Sequence, residues 1–160
     1  MNTVKTGYVR PLDLRKGRVD LGFGAGGRAM AQLISELFLR AFANDWLARG
    51  DDGAVLPAPA AGERLVMATD AHVVSPLFFP GGDIGSLSVH GTVNDLAVMG
   101  ARPLYLAASF ILEEGYALAD LARIVESMAS AARAAGVAVV TGDTKVVEQG
   151  KGVVVFMTTT

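Results

Sequence analysis

Four aspartates, Asp52, Asp70, Asp95 and Asp143, come from separate stretches of this 160-residue chain, each beside residues suited to cation or phosphate chemistry. Asp70 closes the apolar run Arg64-Leu-Val-Met-Ala-Thr-Asp70. Asp143 lies in Gly142-Asp-Thr-Lys145, straight after Val137-Ala-Val-Val-Thr141. Asp95 follows Asn94 in an otherwise apolar-periodic segment, and Asp52 stands in Asp51-Asp-Gly53. Carboxylates gathered in one place repel, and each disfavours ionisation of the others. Magnesium would remove that cost. It takes carboxylate oxygens, keeps several waters and bridges to the oxygens of a nucleoside triphosphate, with no need of histidine or thiolate.

The sharpest local motif is Gly142-Asp-Thr-Lys145. It combines close backbone approach, a metal-directed carboxylate, a hydroxyl and a phosphate-directed ammonium. A hairpin turn with a surface lysine is the alternative, and aspartates also end strands because they favour turns. Phe23-Gly-Ala-Gly-Gly27 runs into a helical pattern. Free amides and the positive end of the helix dipole suit phosphate there. The loop matches neither the Walker lysine pattern nor a dinucleotide fingerprint, so a flexible lead-in to a helix fits it equally well. Together, Lys145 and Gly24 to Gly27 on phosphates with the acids on magnesium would position and neutralise ATP. Asn94 and Asp95 have a second reading, as a satisfied buried polar pair. His90 reads as a hydrogen-bonded packing residue rather than a catalyst.

Other chemistries are excluded or unsupported. The chain has no cysteine, which removes disulfides, thiolate metal sites and cysteine nucleophiles. A formal charge of −2, with the basic residues scattered, recommends no polyanion-binding face, so nucleic acid is not an expected partner. No pair of carboxylates suggests a glycosidase, and no Ser/His/Asp arrangement stands out. No apolar run approaches the roughly 20 residues that span a bilayer, and the start lacks an apolar signal core. A cytoplasmic protein without membrane contact is expected. Hydrophobic residues make up 51% of the chain, enough for one core and some apolar surface besides, which points towards an interface.

The elements that must position these residues follow from periodicity and punctuation. Residues 1–22 read as an extended arm with a short strand near Val19 to Leu21. Leu33, Ile34, Leu37, Phe38, Ala41 and Phe42 predict an amphipathic helix from about Arg28 to Leu47, stopped by Gly50. A turn and short strand follow over 51–57, then a better strand over Arg64–Asp70 and a buried or interface loop from Ala71 to Pro80. Asp83 can cap a helix that ends near Gly100. On that helix Ile84, Leu87, Val93, Leu96 and Ala97 share a buried surface, and Gly85 and Gly91 admit another backbone. Leu104 to Leu112 reads as a central strand, Leu118 to Ala135 as a helix closed by Gly136, and Val137 to Thr141 as a strand delivering Gly142-Asp-Thr-Lys145 at its exit. A turn at Gln149–Gly152 precedes a strand over Val153–Thr160. An apolar strand at the last residue suggests the amino-terminal piece of something longer.

The run PLFFPGGDIGSLSVHGTVNDLAVMGARPLYLAASFILEEG, followed by AARAAGVAVVTGDTKVV, closely resembles the hydrogenase expression/formation (HypE) family. More broadly it is similar to the ATP-binding amino-terminal domain of the aminoimidazole ribonucleotide synthetase superfamily, which includes thiamine-monophosphate kinase and selenophosphate synthetase. The resemblance runs from RVDLGFGAGG to the end. DDGAV, NDLAVMGA and GDTKVV are specific in combination, and FILEEG favours HypE. The resemblance implies a PurM-like α+β fold, a mixed or antiparallel sheet covered by helices, whose strands pair with a second copy into a barrel across a homodimer. It implies an arm over 1–22 and an ATP-binding domain over 23–160. It also implies ATP with magnesium near the dimer interface, with Asp52, Asp70, Asp95 and Asp143 on the metal and phosphate side. Asp83, Asn94, Thr144 and Lys145 would be further nucleotide-site residues, and Gly26 and Gly27 would belong to a mobile glycine-rich loop.

HypE proteins use ATP to dehydrate a thiocarboxamide on their own C-terminal cysteine to a thiocyanate, the source of cyanide for nickel-iron hydrogenases. HypF supplies the carbamoyl group, and a HypC/HypD complex accepts the product. Two departures stand out. The family's glycine-rich loop usually begins with histidine, where this chain has Phe23, and the second domain with its terminal cysteine is missing. These residues alone are therefore not expected to complete a turnover. A kinase or synthetase of the same superfamily is the second reading, although the absence of cysteine near the amino terminus argues against a selenophosphate synthetase nucleophile. A non-catalytic dimerisation and partner-docking module is the third.

Overall fold

A computed structural model describes residues 11–150 and 155–160. Its centre is a four-stranded mixed sheet in the order β1 (Asp70–His72), β6 (Val155–Thr159), β4 (Tyr105–Glu113), β5 (Ala138–Val147). β4 pairs antiparallel with β6 and parallel with β5, and β6 pairs antiparallel with β1. A parallel pair needs a crossover, supplied here by α4 (Leu118–Ala135). A separate hairpin, β2 (Phe78–Phe79) and β3 (Gly82–Asp83), leads into α3 (Ile84–Val98).

Period-two alternation decides which side of the sheet is covered. Leu106, Ala108, Phe110 and Leu112 of β4, with Val155 and Met157 of β6, are buried on the helix side. Ile111 and Phe156 pair on the opposite side, where Ile111 is 39% exposed. In β5 the alternation is interrupted once. Leu106 pairs with Val139 but Ala107 pairs with Thr141, so Val140 is a bulge residue, and Val139 and Val140 are both buried. Beyond it Asp143 pairs with Ser109, and Thr144 pairs with the buried Phe110.

α4 matches its expected bounds because its sequence is strongly amphipathic. Leu118, Leu121, Ile124, Val125, Met128 and Ala132 are buried, and Gly136 ends it at φ +69°. Each of the larger side chains among them contributes about 1.5–3 kcal/mol by leaving water. α3 is weakly amphipathic. Its buried residues are Ile84, Gly85, Ser88, Val89, Thr92 and Leu96. A Cβ on Gly85 would stand 2.2 Å from the Ile124 carbonyl oxygen, so α3 and α4 cross at contact distance of their backbones. Two expectations for this helix fail: Leu87 and Ala97 are exposed. Ile84 and Leu96 are buried as expected, and the buried face is completed by Val89 and by small hydroxyl residues that hydropathy does not score as core.

The expected helix over Arg28–Leu47 is shorter and interrupted. It comprises α1 (Arg28–Leu33), a π-helical turn (Ile34–Phe38) and α2 (Leu39–Ala41). The Asn44 amide then donates to the carbonyls of Phe42 and Val139, turning the chain away from helix. Gly50, at φ +68°, ends only a short 3-10 turn, Leu47–Arg49. The strand expected over 51–57 is absent, and of Arg64–Asp70 only Asp70 joins the sheet. Extended residues need a neighbouring ladder, and none lies beside them: Leu65 is 81% and Met67 78% exposed. The loop expected over 71–80 contains the rest of β1 and the β2 strand.

Of the arm, residues 1–10 lie outside the described residues. Val19 is buried and donates its amide to the Tyr116 carbonyl, while 21–24 form a 3-10 turn in place of a strand. Glu36 accepts from the Leu12 amide at 2.7 Å and from Gln32 at 2.8 Å, tying the arm to the π turn. The expected turn at 149–152 and strand at 153–160 fall partly on undescribed residues, and the described strand is Val155–Thr159. No helix among the described residues is long and apolar enough to cross a membrane.

Candidate functional site

The sequence-predicted acids fall into two pairs. Asp52 and Asp143 line one cavity of about 450 Å³ between the 28–50 segment and the helix side of β4 and β5. Its interior is apolar, with Phe38, Phe42 and Trp46, and Thr144 also faces it. The π turn shapes this wall by setting the Phe38 ring 4.9 Å from Phe110, and Trp46 packs edge-on to Tyr105 at 5.2 Å. Asp70 and Asp95 instead lie around His72, whose imidazole feels both of their charges. Among the described residues no three acids or histidines stand close enough together to hold a metal. One copy of the chain therefore offers two pairs of hard oxygen donors rather than one set of four.

Contrary to the expectation from the sequence, neither Asp70 nor Asp143 stands at a strand exit. Asp70 begins β1, and Asp143 is internal to β5. Asp143 makes a 2.9 Å ion pair with Lys145 two residues on, and also accepts from the Thr144 amide at 2.8 Å. The Lys145 hydrogen bond first, helped by that amide, holds its carboxyl below the usual carboxylate range against the opposing effect of burial. Gly142 is needed where it stands, because a Cβ there would meet the Ala108 carbonyl oxygen at 2.3 Å.

Asp83 is the N-cap of α3. It accepts from the Ser86 amide at 3.0 Å while the Ser86 hydroxyl accepts from its own amide, a complete capping box. Asn94 and Asp95 are exposed, which removes the reading as a buried polar pair. Gly26, at φ +73°, and Gly27 lead into α1, and nothing lies within 4 Å of where either Cβ would be. Phe23 at the head of this loop is a core residue, 6% exposed. Its side chain packs where a polar one would have to be desolvated.

Sequence reasoning missed a buried polar cluster where α3 meets β1 and β6. His72, Ser88, Thr92 and Thr159 are all buried there. The Thr159 hydroxyl donates to the Ser88 carbonyl at 2.9 Å and lies 2.6 Å from the Thr92 hydroxyl and 3.3 Å from His72 Nε2. His72 Nε2 is also 3.7 Å from Asp70 Oδ2. Burial pushes the imidazole below its ordinary value despite the raising effect of Asp70 and Asp95. His72, and not the exposed His90, is thus the hydrogen-bonded packing histidine. The available signal was the pair Ser88 and Thr92, two small hydroxyls at helical spacing.

Residues 50–160 match the family described as AIR synthase related protein, N-terminal domain, and the chain belongs to that family. Among individual proteins it is similar to the carbamoyl dehydratase HypE of Cupriavidus necator, 74% identical over 99% of this chain and 45% of the relative. The solved structure of hydrogenase maturation protein HypE in complex with ATP superposes with a TM-score of 0.83 at 54% identity, over 87% of this chain and 41% of that one. A HypE-HypF complex matches at TM-score 0.57 and 48% identity, over 79% of this chain and 40% of that one. The chain spans less than half the length of these relatives. The α+β architecture, with antiparallel pairings predominating and helices on one face, agrees with the fold expected from the sequence motifs.

Proposed function

We propose that this chain is the ATP-binding part of a HypE-like carbamoyl dehydratase. The observation that carries the reading is its 54% identity, over 87% of its length, to a HypE solved with ATP. In this reading Gly26, Gly27, Asp83, Asn94, Thr144 and Lys145 contact the nucleotide. Asp52, Asp70, Asp95 and Asp143 hold magnesium, to which exposed aspartates are chemically suited. Magnesium bound there would neutralise phosphate charge as the terminal phosphoryl group moves. The open sheet face supports a second copy of the chain as partner. A barrel across such a homodimer would bring the Asp70 and Asp95 pair of one copy towards the Asp52 and Asp143 pair of the other.

The full reaction takes the oxygen of a cysteine thiocarboxamide onto phosphate, so that thiocarboxamide and ATP become thiocyanate, ADP and phosphate. The 160 residues contain no cysteine, so the carrier thiol lies elsewhere. A HypF-like carbamoyl donor is the expected partner upstream, supported by the relative solved with HypF, and a HypC/HypD-like complex is the acceptor downstream in the cytoplasm. Calorimetry with ATP, with and without magnesium, tests the site. Magnesium-dependent binding is expected, weakened about tenfold or more in Asp52→Asn and Asp143→Asn. Absent or magnesium-independent binding sinks the reading.

A further inference from the structure

β5 is the last strand of its sheet, so among the described residues one of its two edges has no neighbouring strand. The cavity of about 450 Å³ runs along this strand. Its lining takes in every residue from Val139 to Thr144, of both side-chain parities, so it follows the backbone edge and not one face alone. That backbone has hydrogen bonds to give. Val140, the bulge residue, has no partner residue in β4, and a bulge leaves its extra residue out of the ladder. The Val139 carbonyl beside it accepts from the NH2 group of Asn44 at 2.7 Å.

The other wall presents aromatic rings. Phe38, Phe42 and Trp46 line it, with the Phe38 and Phe42 rings within 8° of parallel and Trp46 only half-buried. Asn44 holds the two walls together, since its NH2 group spans the Phe42 and Val139 carbonyls while its side-chain oxygen accepts from the Trp46 and Leu47 amides. A volume of about 450 Å³ lies within the roughly 300–1,000 Å³ of small-molecule sites. A flat ring with polar groups on its rim suits such a place, because aromatic side chains take its faces and strand backbone takes its rim. An aliphatic ligand would cover the free backbone groups without pairing them.

We infer that this cavity seats a purine base, with the β5 edge around Val140 hydrogen-bonded to the rim of the base and Trp46 against its face. The inference rests on the reading of the chain as ATP-binding. It gives the base a place, whereas the motif acids and Lys145 address charge alone. Adenine carries an NH2 group next to a ring-nitrogen acceptor, and the Asn44 bond to Val139 shows an NH2 group already held by this edge.

Trp46 is the only tryptophan in the chain, so its fluorescence reports on this wall directly. The test measures dissociation constants of ATP, adenosine and inorganic tripolyphosphate for the wild-type chain, Trp46→Ala and Ile34→Phe, the last placing a larger side chain in the lining. Adenosine is expected to bind the wild type, to be displaced by ATP and to shift the Trp46 emission, while tripolyphosphate leaves the emission unmoved. Both variants should weaken ATP and adenosine about tenfold or more, as expected when a stacking partner is lost or its space is filled, and leave tripolyphosphate binding unchanged. Undiminished ATP binding in either folded variant overturns the inference and leaves the ATP reading standing. Equal loss of all three ligands also overturns it, because it marks general damage. Should neither variant fold, the wild type decides: a Trp46 emission unmoved by saturating ATP overturns the inference. A wild type that binds neither ATP nor adenosine overturns the ATP reading, and the inference with it.

Discussion

The Tyr116 hydroxyl is buried and has no hydrogen-bond partner among the described residues. Burial first, then the Asp120 and Asp83 carboxylates, push its pKa from 10.0 to about 12, with Arg123 opposing them. The folded state therefore holds the phenolic proton more tightly than the unfolded chain. Its contribution is fully present below pH 10 and is lost as pH rises through about 12. Absorbance titration of the phenolate should show a late tyrosine that Tyr116→Phe abolishes. Because nothing among the described residues accepts from or donates to that hydroxyl, the substitution should leave stability at neutral pH unchanged or raise it by about 1 kcal/mol, read by urea denaturation. A loss of more than that would mean the hydroxyl has a partner after all.

At the level of elements, the close crossing of α3 and α4 turns on one position. Gly85→Ala would drive a methyl group into the Ile124 carbonyl oxygen, 2.2 Å away, and backbone there cannot swing aside as a side chain can. A cost of about 1–3 kcal/mol is expected, seen as a lower urea midpoint with unchanged slope. A midpoint equal to wild type would show that the two helices can separate freely. The same pair of helices explains what the sequence made legible. α4 was readable to the residue because its apolar positions repeat at helical spacing, and β4 was readable within one residue because it is a long uncharged run between two other strands. α3 could be located by its cap and its glycine stop, and Ile84 and Leu96 of its buried face with it, but Ser88 and Thr92, which complete that face, could not. The 51–69 segment was misread because β-propensity describes the chain and not its neighbours: Leu65 and Met67 fit a strand, and no strand is beside them. The candidate acids stand in recognisable motifs, but their partition into two pairs depends on sheet order, which periodicity does not encode.

For the whole molecule, the two faces of the sheet set its behaviour. One is covered by α3 and α4. The other presents Ile111, Phe156 and Val73 around a shallow cavity of about 270 Å³, with Val73 58% exposed. Such a surface is costly to leave in water. If a second copy covers it, light scattering should report a dimer at micromolar concentration, and Ile111→Lys, which places a charge on the uncovered side of the central strand, should shift it to monomer without altering the circular dichroism spectrum. A strictly monomeric wild type would contradict the barrel. The two experiments, nucleotide calorimetry and light scattering, also bear on one another, since acids paired across a dimer predict that Ile111→Lys weakens Mg-ATP binding without touching any of them.

The single extra residue in β5 settles which way the strand presents its chemistry. Were Val140 paired in regular register with Ala107, Asp143 would stand opposite Phe110 and Thr144 opposite Ile111, which exchanges the carboxylate for the hydroxyl on the two sides of the sheet. Val140 is thus a parity bit: it carries no functional group of its own, yet it fixes the side to which every polar group after it is addressed. A relative could keep every letter of Gly-Asp-Thr-Lys and still aim the motif into its own core, simply by pairing the residue at this position in the ladder instead of bulging it.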